Sequence, residues 1–224
     1  MVYLIFIAAT VFSWIVQNRF SSTMKRLGQM PNSSGMTGKQ IAEKMLADNG
    51  IHDVQVISTK GRLTDHYNPG NKTVNLSQVV YDQRSIAAMA IAAHECGHAV
   101  QHATSYSFLK MRSALVPIVS IGSKFSPFLL LGGIALLESF PQLLLLGILT
   151  LAGSTLFSFI TLPVEYDASK RALEWIDQTG IARGAEHEEA EKGLKWAART
   201  YVVAAVSSLG TLLYYLSIFN SRRN

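Results

Sequence analysis

The sequence predicts a mainly α-helical, polytopic membrane protein, with about four transmembrane helices and a small α+β portion outside the bilayer. Three observations carry this expectation. The chain is 49% hydrophobic and only 16% charged, with a positive mean hydropathy, the profile of a chain with much of its length in lipid. Long apolar runs fill residues 2–17, 113–163 and 198–219, leaving 18–112 and 164–197 as the polar portions. Within the first polar portion, His94-Glu95-Cys96-Gly97-His98 sits in an alanine-rich stretch, Arg84 to Thr104, that reads as one helix.

Val2 to Val16 is apolar and uncharged, short for a span but workable with interfacial Tyr3 and Trp14. It lacks a basic leading region and an A-x-A site before Arg19, so it reads as a retained anchor rather than a cleaved signal. Arg19, Lys25 and Arg26 follow and place that end in the cytoplasm. Residues 28–35 form a loop by their Gly, Pro and Ser content. Thr37 to Asn49 has helical period, with Ile41, Met45 and Leu46 on one face and Lys39, Glu43 and Lys44 on the other. Gly50 stops it.

Residues 54–57, 63–67 and 72–76 read as short strands, and Asn68-Pro69-Gly70-Asn71 is a strong turn between the last two. The resulting hairpin either aligns an extended peptide by its edge or merely covers the helix that follows. Ser85 is the expected N-cap of that helix. Beyond it, Lys110 and Arg112 mark another cytoplasmic flank. Ala114 to Leu137 is a span with expected kinks at Pro117 and Pro127 and a costly Lys124. Glu138 to Pro141 turns the chain, Gln142 to Leu162 returns it, and Leu162-Pro163 closes the run. A polar helix follows from Val164 to Trp175 and ends near Thr179-Gly180. Glu186, Glu188, Glu189 and Glu191 read as a solvated helix face, and Arg199 to Phe219 as a fourth span. Four spans put Arg222 and Arg223 outside, against the charge bias, though two terminal charges weigh little.

The chemistry centres on H-E-x-x-H. His94 and His98 are four residues apart, so both imidazoles lie on one helix face and reach a single cation. Glu95 lies about 100° round the helix from His94, where it meets a water on that cation. This is the pattern of zinc-dependent hydrolysis, with His94 and His98 as metal ligands and Glu95 as the catalytic base. Gly97 lowers helix propensity by about 1 kcal/mol, so close approach of another element is the reason to expect it. His102 lies about 12 Å along the axis from His94, too far to share the ion, and reads as a helix-surface residue or a partner of a ligand. Cys96 points about 200° away from His94 and is a bland position. As the lone cysteine it excludes an intrachain disulfide and fits a reducing compartment. The net charge of +5 is scattered, which argues against nucleic acid and for an anionic membrane surface.

Topology suggests the third ligand. If the anchor runs outside to inside, two spans later Glu165 re-emerges on the side of His94 and His98. His₂Glu with a water is the thermolysin-type set; Asp167 and Glu174 are rivals on the same helix. Donors for the developing oxyanion are sought among His66, Tyr67, Tyr166 and Arg171.

Together HECGH, the preceding RSIAAMAIAAHE, the upstream DHYNPGNKTVNLS and the downstream LPVEYDASKRAL resemble the YugP-type membrane zinc metallopeptidases. The resemblance covers nearly the whole chain. It implies a gluzincin-like protein of the bacterial cell membrane, with a zincin-like cytoplasmic domain, more distantly similar to HtpX and the CAAX prenyl proteases. In that wider group the third ligand opens a motif E-[FY]-x-A-D. Glu165-Tyr166-Asp167-Ala168 matches its first four places, but Ser169 stands where the aspartate would be. Asp167 or a water is then expected to take the aspartate's supporting role. The expected activity is a zinc-dependent endopeptidase facing the cytoplasm, acting on peptide or protein substrates. The alternatives are a catalytically silent membrane scaffold or chaperone-like protein with structural zinc, and, more weakly, a metal transporter.

Overall fold

A computed structural model describes residues 2–221. Arg222 and Arg223 lie outside the described residues, as do the side chains of residues 2–6 and 8, the expected interfacial Tyr3 among them. The chain runs α1 (Val2–Leu27), α2 (Gly38–Asp48), β1 (Gln55–Thr59), β2 (His66–Asn68), β3 (Thr73–Ser77), α3 (Gln78–Asp82), α4 (Ile86–Ala103), α5 (Ser107–Ala135), α6 (Pro141–Thr179) and α7 (Ala185–Ser221). The architecture is mainly helical with one small sheet, as expected. It divides into two units, one of Met1–Ile15, Lys110–Leu162 and Tyr201–Asn224, the other of Val16–Leu109 and Pro163–Thr200.

In the first unit, Leu130, Leu144 and Ile148 form a small core with Leu151, Leu212 and Tyr215 around it. The backbones of α5 and α6 approach closely, since a Cβ on Gly133 would lie 2.4 Å from Leu144 Cα. Thr155 and Ser208 hydroxyls meet at 2.7 Å and tie α6 to α7. The outward faces are apolar, with Ile118, Phe128, Leu131 and Leu213 all exposed. Such surface is stable against lipid rather than water. Among the described residues, three helices, α5, α6 and α7, are long and apolar enough to cross a membrane.

Two boundaries differ from expectation. Pro163 does not close a helix: α6 runs through it from Pro141 to Thr179. Proline removes one backbone donor, and a long helix absorbs that loss when the bonds on either side persist. Likewise the acidic segment and the apolar run after Arg199 are one helix, α7, with no break between them.

The second unit has its core around α4. Ile41, Ala42, Met45 and Leu46 of α2 are buried with Met89, Ala92, Ala93 and Cys96 of α4, and with Ala172 and Ile176 of α6. Each buried Leu, Ile or Met contributes about 1.5–3 kcal/mol. α2 begins with a full capping box between Thr37 and Gln40 and ends before Gly50 at φ +68°. The sheet has order β1-β3-β2, with β3 buried throughout. The expected hairpin is present as β2–β3, antiparallel with Tyr67 opposite Val74. β1 joins β3 in parallel, from Gln55 opposite Thr73 to Thr59 opposite Ser77. The short α3 was not foreshadowed by the sequence; its five residues are too few to show a helical period.

Candidate metal centre

α4 starts where its cap residue predicts: Ser85 Oγ accepts the Ala88 N–H at 3.2 Å. The alanine-rich face lets the helix lie deep in the core, so His98 and Glu95 are buried and His94 is only 13% exposed at its side chain. Across from it runs α6. A Cβ on Gly97 would stand 2.5 Å from the Ala168 carbonyl oxygen, so the missing side chain is what admits the second backbone. That approach delivers Glu165, one turn before Ala168, to the histidines.

Glu165 Oε2 lies 3.3 Å from His94 Nε2 and 3.7 Å from His98 Nε2. The three ligand atoms are all within 4.8 Å of one another. Ligands on a tetrahedral metal with bonds of about 2.0–2.2 Å stand about 3.3–3.6 Å apart, so the spacing suits one ion. The imidazole rings stand edge to face with centroids 4.8 Å apart. The Glu165 side chain is only 2% exposed. A carboxylate so buried needs cationic partners, and a metal is the strongest of them.

The far nitrogens of both rings are held. His98 Nδ1 meets Gln101 Oε1 at 3.0 Å. Gln101, fully buried, donates its Nε2 to the Val164 carbonyl at 2.7 Å and to Asp167 Oδ2 at 2.8 Å. A carbonyl only accepts, so the amide nitrogen faces Val164, the amide oxygen faces His98, and His98 Nδ1 is the donor. In the neutral ring Nε2, on the side of Glu165, is then the unprotonated nitrogen, and in the protonated ring it can donate to that carboxylate. His94 Nδ1 meets Ser169 Oγ at 3.1 Å. Such tied histidines are the usual form of metal ligands. Burial disfavours the charged form of His98, but the hydrogen bond and charge of Glu165, with Glu95 nearby, outweigh it and hold its pKa above 6.5.

Glu95 Oε2 accepts the Tyr67 backbone N–H at 3.0 Å. Tyr67 is in β2, an edge strand, so the carboxylate uses the N–H that points away from β3. The Tyr67 hydroxyl meets His102 Nδ1 at 2.7 Å, so His102 supports β2 rather than a ligand. Asp167 sits between Gln101 and the Arg171 Nε, 2.6 Å away, and reaches His98 through Gln101. His66 Nδ1 meets the Thr64 carbonyl at 2.8 Å, Tyr166 is half exposed, and the Arg171 guanidinium lies 5.9 Å from the Tyr106 ring centre. Glu174, the rival ligand, is exposed and pairs with Lys170. Cys96 faces away, its thiol on the Ala42 carbonyl of α2, and burial pushes its pKa well up. Gln101 is the residue that sequence reasoning missed, and Ser169 the one it undervalued.

Over residues 2–220 the chain matches the family described as "Putative neutral zinc metallopeptidase". It is 42% identical over 218 residues to the "Putative membrane protease YugP" of Bacillus subtilis (strain 168), covering 97% of this chain and 96% of that protein. No solved structure matches it.

Proposed function

The chain belongs to the neutral zinc metallopeptidase family, and on that premise we propose that it is a membrane-embedded, gluzincin-like zinc endopeptidase. His94, His98 and Glu165 hold the metal, and Glu95 is the general base. The observation that carries this reading is the convergence of two Nε2 atoms and one buried carboxylate, with both Nδ1 atoms already engaged. Zinc, when bound, supplies a Lewis acid that lowers the pKa of a water and polarises the peptide carbonyl.

The protein groups do the rest. Glu95 Oε2 is fixed by Tyr67, and Oε1 has no hydrogen-bond partner among the described residues. Glu95 takes a proton as the water oxygen bonds to the peptide carbon, then gives it to the amine as the C–N bond breaks. The donor to the carbonyl oxygen is drawn from His66, Tyr67, Tyr166 and Arg171, which single alanine variants would rank. Residues 2–17 form a further span, and the soluble portions 18–112 and 164–197 face the cytoplasm from a bacterial cell membrane. Accessibility labelling of single cysteines at exposed positions tests that orientation.

The deciding experiment pairs zinc analysis with peptide hydrolysis in the wild type and in Glu95→Gln. The substituted protein should keep zinc and lose cleavage. Full function in the cell for that variant would instead favour the silent scaffold with structural zinc. A structural site is normally closed by four protein ligands, whereas three converge here among the described residues.

A further inference from the structure

From Ser85 to Gln101 every residue is buried except Ile91 and His94, which reach partly to the surface. They are three apart, so they share one helix face at about 4.5 Å along the axis. Ile91 lines an open groove of about 490 Å³ whose floor continues along α4 to Ala87 and Ala88. Phe20 and Met24 of α1 and Leu63 of the β1–β2 loop also line it. The least buried of the three ligands thus stands one helical turn from this groove.

The rim is basic. Lys25 and Arg62 line the groove, and neither forms an ion pair among the described residues. Asp65 also lines it, but its Oδ1 accepts the Ser77 N–H at 2.7 Å and the Ser77 hydroxyl at 3.0 Å. Leu63 is 67% exposed and has φ +58°, a left-handed backbone that costs a non-glycine residue about 1–2 kcal/mol. Val79, which also lines the groove, is 49% exposed.

We infer that this groove seats an acidic, extended segment of a polypeptide substrate, next to the bond to be cut. Apolar side chains of that segment meet Phe20, Met24 and Ile91, and its carboxylates meet Lys25 and Arg62. Gln29 and Gln83 on the groove offer side-chain amides to an extended backbone. An anionic lipid headgroup would satisfy the same cations, but the continuity of one helix face from Ile91 to His94 favours the peptide. The inference rests on the peptidase reading and names its substrate class.

The test uses the full-length, zinc-loaded protein in detergent and a peptide library with acidic, neutral or basic flanks. Binding is read on Glu95→Gln and cleavage on the wild type. Acidic, apolar flanks should be preferred in both. Lys25→Glu with Arg62→Glu should weaken acidic-peptide binding about tenfold or more and shift preference to basic flanks, with zinc content unchanged. Leu63→Ser should lower affinity without changing the charge preference. Charge-selective binding with no cleavage keeps the groove and overturns the peptidase reading; cleavage blind to flank charge does the reverse. If the double variant loses only its binding to phosphatidylglycerol vesicles, the groove is a lipid site and the inference falls.

Discussion

The carboxamide oxygen of Gln101 accepts the Nδ1 proton of His98 at 3.0 Å, while its nitrogen is committed to the Val164 carbonyl on α6. One side chain therefore orients a proposed metal ligand and ties it to the helix that carries Glu165. Gln101→Leu keeps much of the volume and removes these two bonds and the one to Asp167. Zinc affinity should fall about 10–100-fold, as for other partners of metal-bound histidines, measured by chelator competition. Unchanged affinity would show that His98 is oriented by packing alone.

Ser169 makes the matching contact to His94. The hydroxyl stands where the resembling group has an aspartate and meets His94 directly, whereas Asp167 meets Gln101. Ser169→Ala should weaken zinc binding, within about the same 10–100-fold range, and Ser169→Asp should restore it. A variant pair indistinguishable from wild type in zinc titrations would count against the contact.

These two residues mark where sequence reading stops. His94 and His98 were legible because a helix repeats every 3.6 residues, and Ser85 and Thr37 because caps are local chemistry. Gly97 was legible as a propensity defect that needed a reason, and the reason is Ala168. Glu165 came from topology and from a matched motif. Gln101 carries no such signal, because its role depends on a carbonyl 63 residues away. The continuity of α6 through Pro163 was hidden for a related reason. Local propensity reads proline as a stop, whereas a long helix with its other bonds intact tolerates the missing one.

Gly97→Ala should raise helix propensity by about 1 kcal/mol and yet destabilise the protein. The new methyl would lie 2.5 Å from a backbone oxygen, which cannot step aside without moving α6. A net loss of about 1–3 kcal/mol is expected, seen as a lower melting temperature in detergent, with weaker zinc binding. A stabilised variant would mean that the two helices are not so close.

Asp48 links α2 to α6 by accepting the Trp175 indole N–H at 2.9 Å. Its pKa lies below 3.8, chiefly through the hydrogen bond from Lys44, which outweighs the opposing effect of burial, with Trp175 adding a lesser share. A depressed carboxylate contributes stability above its unfolded pKa, and that contribution is lost as pH falls through the folded value. Melting temperature should therefore drop below about pH 4, and the drop should be shallower in Asp48→Asn. Identical acid limbs for the two proteins would remove the carboxylate from the account.

Glu165 tests the proposed centre most directly, because two histidines on one helix are too few for tight zinc binding. Its carboxylate is buried between both Nε2 atoms, and α6 holds it there. Glu165→Ala leaves two nitrogen ligands, so zinc should be stripped by a chelator that the wild type withstands. Glu174→Ala removes an exposed carboxylate from the same helix, nine residues on, whose partner is Lys170. That variant should keep stoichiometric zinc, which separates loss of a ligand from loss of charge on α6. Glu165→Gln sharpens the comparison, since it preserves shape while removing the charge that offsets the metal. It should bind zinc more weakly than wild type, and hydrolysis should fall in step with zinc occupancy. Stoichiometric zinc in Glu165→Ala after dialysis against a chelator would exclude it as a ligand and send the search back to Asp167.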